Sequence, residues 1–283
     1  MIAVNNVTKQ YKDFCLELSM EVKRGCITGL VGKNGAGKSS TFKAILGLIR
    51  PDSGEIRILG KEVRKLSSSD RQSIGVSLVE SGFSGELAVR DIVPVLRSFY
   101  RNFEEKKFLE QCKAFEIPMN KKLKTFSTGM KAKLKVLAAV SHKACLLILD
   151  EPTSGLDVMA RDELLDILRG YMEEDEGRSI LISSHISSDL EGLCDDIYLI
   201  DHGKVLLHED TCVLLDDYGV LKVGVEEFKK LDKRYILRYK KEAFGYECLI
   251  REKQFYADNY RGIVMEKGNI DEVMKLMIGG EEL

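Results

Sequence analysis

The chain has little net charge and no long apolar run. Its 43 Lys and Arg residues nearly balance 45 Asp and Glu residues, so the formal net charge at pH 7 is -2. Nucleic-acid-binding domains usually carry a basic excess, so we expect no nucleic-acid partner. No stretch approaches the roughly 18 apolar residues that a membrane span requires, and the N-terminus lacks a signal-peptide pattern. Any role at a membrane is therefore expected to depend on a partner protein.

Cysteine pairs of the kind that build metal sites or disulfide frameworks are also missing. Seven cysteines are scattered along 283 residues and form no C-x-x-C pair. Zinc sites and small disulfide scaffolds have recognisable cysteine spacings, so neither is indicated. Reduced thiols in a cytosolic protein are the simplest explanation. The length allows two ordinary domains, or one large domain with an appendage.

The stretch from residue 26 to residue 48 predicts a strand, a glycine-rich loop and a helix. Its loop, residues 32–39, reads GKNGAGKS and fits G-x-x-x-x-G-K-[ST] at every fixed position. In this setting backbone N–H groups and the helix N-terminus hold a polyphosphate. We predict that Lys38 reaches the β- and γ-phosphates and that Ser39 ligates Mg²⁺. The predicted nucleotide-binding residues are Gly32, Lys33, Asn34, Gly35, Ala36, Gly37, Lys38, Ser39 and Ser40.

Two acids and a histidine are predicted to lie beside that loop. The apolar residues 146–149 lead into Asp150 and Glu151, and the apolar run 179–184 leads into His185. Ligands collect at the carboxyl ends of parallel strands, where one acid can hold Mg²⁺ and a second can polarise an attacking water. The alternatives are that the acids only cap the next segment and that the histidine is structural. The phosphate loop upstream favours the functional interpretation of all three.

The remaining periodicities predict four regions. Residues 2–31 have the alternation of an antiparallel β subdomain, and Tyr11 within it is either a base-stacking aromatic or an edge-of-core tyrosine. Residues 84–140 have helical spacing and predict an inserted helical subdomain. Residues 197–207 predict a closing hairpin. Beyond about Thr211, short strands and helices predict a small α+β appendage that carries no chemical motif.

Five ordered motifs together resemble those of ATP-binding cassette (ABC) proteins. They are the phosphate loop, residues 126–130 (FSTGM), residues 146–151, residues 154–157 (SGLD) and His185. The resemblance implies an α/β fold of the P-loop NTPase type, with an N-terminal antiparallel β subdomain and an inserted helical subdomain. Residues 1–215 would form the nucleotide-binding domain, and residues 216–283 would be a C-terminal α+β accessory domain.

The resemblance also implies roles for individual residues. Asp150 looks like the acid that binds Mg²⁺, Glu151 like the catalytic carboxylate and His185 like the switch histidine, with Lys38 as a further catalytic group. Tyr11 matches the base-stacking aromatic. ATP would lie between two cassettes arranged head to tail, as a homodimer or heterodimer, with Ser127 and Gly129 of one cassette facing the nucleotide on the other.

One departure from the family concerns the loop after residues 74–75. The family usually places a glutamine there that contacts Mg²⁺ and water, whereas this chain has Val79 with Glu80 beside it. We expect either that Glu80 substitutes as a metal contact or that the contact is missing.

Three function classes are consistent with a phosphate loop. The first is the ATP-hydrolysing subunit of a bacterial exporter, peripheral on the cytoplasmic face of the cell membrane and working with an integral membrane permease. The second is a soluble cassette ATPase acting on ribosomes or DNA, but such members usually carry tandem cassettes or a long coiled coil. The third is a phosphoryl-transferring kinase, which would not need Ser127, Gly129 or Glu151.

Overall fold

A computed structural model of the chain describes residues 1–80, 82–260 and 262–283. The strands are β1 (Ile2–Gln10), β2 (Cys15–Val22), β3 (Ile27–Val31), β4 (Ser53–Ile58), β5 (Lys61–Glu62), β6 (Ile74–Ser77), β7 (Leu146–Asp150), β8 (Ser179–Ser184), β9 (Asp196–Asp201), β10 (Lys204–Asp210), β11 (Gly219–Val223), β12 (Ile236–Glu242), β13 (Gly245–Ile250) and β14 (Val264–Lys267). The helices are α1 (Lys38–Ile45), α2 (Ser68–Arg71), α3 (Val89–Phe99), α4 (Glu105–Ala114), α5 (Thr128–Val140), α6 (Val158–Glu173), α7 (Ser187–Glu191), α8 (Thr211–Asp216), α9 (Val225–Lys230), α10 (Lys253–Asn259) and α11 (Ile270–Gly279).

The first sheet is antiparallel and has the strand order β2-β1-β4-β5. In β2 every second side chain is buried, as the alternation predicted, and the residues between them are wholly or partly exposed. The predicted antiparallel region was too long, however. It ends at Val22, because β3 pairs in parallel with β8 and β9 instead. All five residues of β3 are buried, as expected for a central strand that is covered on both faces.

The second sheet places the predicted site residues on one edge. Its order is β10-β9-β3-β8-β7-β6, with every pairing parallel except the β9–β10 hairpin. The phosphate loop follows β3, Asp150 ends β7 and His185 follows β8. Because β3, β8 and β7 are parallel neighbours, their carboxyl ends meet at the same edge.

The predicted helical subdomain is confirmed by α3, α4 and α5, which lie between β6 and β7. The apolar faces of these helices pack into the largest hydrophobic cluster of the described residues, together with residues of β7 and β8. The strand before this subdomain, β6, ends at Ser77, so Val79 belongs to the connecting loop.

The C-terminal region folds as predicted from four strands and intervening helices, with the sheet order β12-β13-β11-β14. The two faces of β11 have different partners: Val220 joins the large core of the preceding region, whereas Leu221 packs into a separate aromatic-rich cluster. The N-terminus of α11 is tied to α7 by a hydrogen bond from Ile270 N to Glu191 Oε1 (2.8 Å). The domain boundary near residue 215 stays a prediction.

Among residues 1–80, 82–260 and 262–283, no helix has both the length and the apolar character needed to cross a bilayer.

Candidate functional site

The phosphate loop connects the buried strand β3 to helix α1 through two constrained glycines. A Cβ at Gly32 would lie 2.4 Å from the backbone oxygen of Ile200, so no larger residue fits there. Gly37 precedes α1 with a φ of 114°, in the region that glycine adopts at little cost. The loop therefore keeps its backbone tightly packed against β9 and opens toward the N-terminus of α1.

A cavity of about 470 Å³ opens over this loop. Seven of the predicted nucleotide-binding residues line it together with Glu151 and His185, and sequence reasoning missed three others. The wall consists of Phe14, Lys33, Asn34, Gly35, Gly37, Lys38, Ser39, Ser40, Val79, Glu151, Ser154 and His185. Gly32 and Ala36 do not line the cavity: Gly32 packs against Ile200, and Ala36 is buried. The loop, Glu151 and His185 thus converge on one space, whereas Asp150 lines a second, smaller cavity that shares Glu151.

Lys38 is the first residue of α1, and its side chain is buried against the loop. Its Nζ donates a hydrogen bond to the backbone oxygen of Gly32 (2.7 Å) and lies 3.2 Å from Oε1 of Glu151. Glu151 Oε1 is buried and accepts no well-oriented hydrogen bond, so its contact with Lys38 is a charge contact. A phosphate in the cavity would offer Lys38 a second anionic partner.

Asp150 and Glu151 are held at the end of β7 by Ser183 of the neighbouring strand. The Ser183 hydroxyl donates to Oδ1 of Asp150 (2.7 Å) and accepts from the backbone N–H of Glu151 (2.9 Å). Glu151 has a φ of 50°, a left-handed conformation that costs about 1 kcal/mol or more for a residue with a side chain. The serine-rich end of β8 was the sequence signal for this support, and sequence reasoning missed it.

His185 contacts the same carboxylate. Its backbone N–H donates to Oε2 of Glu151 (3.2 Å), and its Nδ1 also lies within hydrogen-bond distance of that oxygen. The side chain is about two-fifths exposed at the cavity wall. Glu151 therefore stands between a lysine on one oxygen and a histidine on the other.

Tyr11 is placed next to the cavity but outside its lining. Its ring centroid lies 5.9 Å from that of Phe14, at a tilt of 40°, and Phe14 itself forms part of the wall. Phe14 directly precedes β2, and sequence reasoning gave it no role at the site. An aromatic pair thus flanks the cavity, with Phe14 inside it and Tyr11 beside it.

The structure does not bring Glu80 to the predicted metal site. Its carboxylate pairs instead with Lys43 on α1 (3.0 Å), and most of its side chain is exposed to solvent. Val79, not Glu80, faces the cavity. The sequence could not reveal this, because the direction of Glu80 depends on α1 lying alongside the loop.

Ser127 and Gly129 also lie outside the cavity, at the N-terminus of α5. Ser127 caps the helix by accepting a hydrogen bond from Met130 N (3.2 Å), and both Ser127 and Gly129 are exposed or partly exposed. Their neighbour Thr128 lines a second cavity of about 250 Å³ whose wall includes Asp150 and Glu151. The start of α5 and the two acids thus line one cavity, and Lys38 is not part of its wall.

The donor set suits Mg²⁺ in a nucleotide complex better than a metal held by protein alone. Within the described part of the chain, no group of three or more His, Cys, Asp or Glu side chains could hold a metal ion. Mg²⁺ at phosphate sites typically uses one or two protein ligands and completes its shell with water and phosphate oxygens. The Ser39 hydroxyl and the buried Asp150 carboxylate match that requirement.

Comparison with known proteins finds relatives in sequence and in fold. A family model described as ABC transporter matches residues 15–154. The chain is 34% identical over 236 residues to the linearmycin resistance ATP-binding protein LnrL of Bacillus subtilis (strain 168), covering 80% of this chain and 75% of that protein.

Two further proteins extend the comparison. The Nod factor export ATP-binding protein I of Burkholderia orbicola (strain AU 1054) is 34% identical over 235 residues, covering 77% and 76% of the two chains. The fold resembles that of a dimeric ATP-binding cassette solved in a post-hydrolysis state with ADP and Pi. That match has a TM-score of 0.66 and 23% identity, and covers 75% of this chain and 99% of the other.

Proposed function

Because this chain belongs to the ABC transporter family as an ATP-binding subunit that hydrolyses ATP, we propose that it drives export through a separate integral membrane permease. The observation that supports ATP hydrolysis as the driving reaction is the placement of Glu151 between Lys38 and His185 above a phosphate loop. Two bacterial relatives whose names include resistance and export support the direction of transport. The chain would then be peripheral on the cytoplasmic face of the cell membrane.

We assign the chemistry to five side chains. Water attacks the γ-phosphorus, the bond to the bridging oxygen breaks, and ADP and phosphate leave. Glu151 orients and polarises that water, and His185 holds the carboxylate from its other side. When ATP binds, Lys38 gives up its charge contact with Glu151 and binds the β- and γ-phosphates instead. Ser39 and Asp150 would hold Mg²⁺, which when bound neutralises phosphate charge.

A second cassette is proposed to complete each site. Lys38 and Glu151 lie in the cavity, whereas Ser127 and Gly129 stand at an exposed helix start beside it. A helix N-terminus is well suited to bind an anion. Two cassettes placed head to tail would bring α5 of one onto the ATP held by the other.

The permease is proposed to dock on the helical subdomain. Phe99 is 70% exposed, and it lines an apolar groove of about 290 Å³ with Phe83 and Val95. Tyr100 also lines this groove while it stacks on His142, whereas Phe103 packs against Phe108. The docking surface is therefore the groove around Phe99 rather than the whole segment to residue 103.

The proposal is tested by purifying the chain from detergent-solubilised membranes. Copurification of a polytopic membrane protein, together with Mg²⁺-dependent ATPase activity, is the expected result. Ribosomes or DNA in the purified complex would instead support the soluble alternative, and transfer of phosphate to an organic acceptor would support the kinase alternative.

A further inference from the structure

The loop that follows β6 is attached to helices on both of its sides. On one side the carboxylate of Glu80 pairs with Lys43 of α1. On the other side Lys135 of α5 donates hydrogen bonds to the backbone oxygens of Leu78 (3.2 Å) and Val79 (3.1 Å). The loop thus connects the helix of the phosphate loop to a helix of the helical subdomain.

The two attachments differ in strength. The pair between Lys43 and Glu80 is exposed, with 38% and 79% of the side chains accessible, and exposed pairs contribute little. Lys135 is half-buried, and burial lowers its pKa below the usual lysine value. Hydrogen bonds from a charged donor in such a place are stronger than neutral ones. Lys135 is therefore the principal anchor of the loop.

The position of Lys135 gives this anchor a functional consequence. Val79, whose oxygen it holds, lines the nucleotide cavity. Lys135 itself lines the smaller cavity that includes Asp150 and Glu151, and also the apolar groove around Phe99. The Lys135 side chain thus binds the loop and lines both the cavity of the catalytic acids and the groove around Phe99.

We propose that Lys135 is a positioning residue for ATP hydrolysis, because its ammonium fixes the backbone at Leu78 and Val79 and so the wall of the nucleotide cavity. It acts through the loop and does not contact ATP. The inference rests on the proposed nucleotide site. Because Lys135 belongs to α5, whose N-terminus Ser127 caps, movement of that helix would reach the cavity wall through Lys135.

The test compares Lys135→Met, which keeps the aliphatic stem and removes the donors, with Lys135→Arg, which restores them. Lys133→Met is the matched control, since Lys133 lies on the same helix and pairs with Glu163 away from the loop. Steady-state ATPase kinetics and hydrogen–deuterium exchange of residues 76–80 are measured on the whole chain. Lys135→Gln, which keeps one donor group, is the second variant if the methionine protein does not fold.

For Lys135→Met we expect kcat to fall by roughly ten- to a hundredfold, the scale of a small misplacement near a reacting centre. We expect KM for ATP to stay within roughly twofold, because ground-state binding is retained. Hydrogen–deuterium exchange at residues 76–80 should become faster in the absence of nucleotide. Lys135→Arg should restore most of the parental kcat and most of the parental protection from exchange. Lys133→Met should match the parent in kcat and in loop exchange.

Three results would overturn the inference: a parental kcat in Lys135→Met, a reduced kcat with unchanged loop exchange, or an increase in KM alone. If Lys135→Arg lowered kcat and loop protection as much as Lys135→Met, the inference would also be overturned, because arginine keeps the positive charge and the hydrogen-bond donors. A parent chain without ATPase activity would contradict the proposed nucleotide site, and loop exchange would then still decide whether Lys135 anchors the loop.

Discussion

The ammonium of Lys38 lies 3.2 Å from Oε1 of Glu151, and both side chains are largely buried. Each charge compensates the other where water is scarce, so removing one leaves the second uncompensated. ATP would supply Lys38 with phosphate oxygens and leave this Glu151 oxygen to a water. The same contact therefore stabilises the nucleotide-free site and is exchanged when substrate binds.

Glu151→Gln should preserve ATP binding while slowing hydrolysis by about 10² to 10⁴, the range expected for loss of a positioned base. The ATP-induced rise in melting temperature should exceed that of the parent, because the phosphates relieve an uncompensated Lys38. Hydrolysis at the parental rate would contradict the catalytic assignment. Asp150→Asn, by contrast, should impair Mg²⁺-dependent binding as well.

The same variant tests the proposed dimer. Blocked hydrolysis should let the ATP-bound dimer accumulate, and size-exclusion chromatography with ATP would then detect a larger dimer fraction for Glu151→Gln than for the parent. Adding Ser127→Arg should abolish that fraction by crowding the γ-phosphate. A Glu151→Gln chain that is inactive but monomeric would instead point to a different cassette as partner.

Tyr11 is predicted to stack on adenine. Since aromatic stacking contributes about 1 kcal/mol, Tyr11→Ala should weaken ATP binding several-fold, while Tyr11→Phe should be nearly silent in calorimetric titration. Phe14→Leu is the comparison, because Phe14 lines the cavity and Tyr11 does not. A loss confined to Phe14→Leu would place the base on Phe14 instead.

Glu80→Ala should leave the Mg²⁺ dependence of hydrolysis unchanged, because its carboxylate pairs with Lys43 outside the cavity. Lys43→Ala serves as the control, since it removes the same pair from the other side. Both should lie within about 1 kcal/mol of the parent in unfolding free energy, as expected for an exposed ion pair. A higher Mg²⁺ requirement in Glu80→Ala alone would restore the metal role.

The sequence predicted the elements well where the signal is local. The phosphate loop, the α5 helix and the C-terminal strands each depend on residues close together in the chain, and each lies where the pattern indicated. The errors concern relations between distant segments. β3 belongs to the parallel sheet because it pairs with β8 and β9, and the Glu80 carboxylate pairs with Lys43 of α1. Local periodicity in the sequence does not encode contacts between such distant segments.

His142 should make stability depend on pH. It is fully buried, and burial lowers the pKa of its imidazole below 6.5 despite weak contacts with the oxygens of Ala138 and Ile74 (both 3.4 Å). A histidine with a lowered folded pKa binds protons more readily when unfolded, so stability is full above about pH 6.5 and falls as pH drops.

The measurement is urea unfolding of the parent and of His142→Gln between pH 7.5 and pH 5. The parent should lose up to about 1.4 kcal/mol more per pH unit than the variant below pH 6.5, the limit for one proton. Parallel pH profiles for the two proteins would contradict the assignment, whatever constant offset the substitution adds.

Phe99→Asp should abolish copurification of the membrane partner while leaving the ATPase activity of the isolated chain intact. The side chain of Phe99 is largely exposed at the apolar groove, so its loss removes contact area without opening the core, and a charge there would have to be desolvated on docking. Phe244→Asp is the matched control, because Phe244 is exposed to a similar extent but lies in the turn between β12 and β13. If Phe99→Asp retains the partner and folds like the parent, the docking surface lies elsewhere. If both variants lose it, the C-terminal region also contributes to the interface.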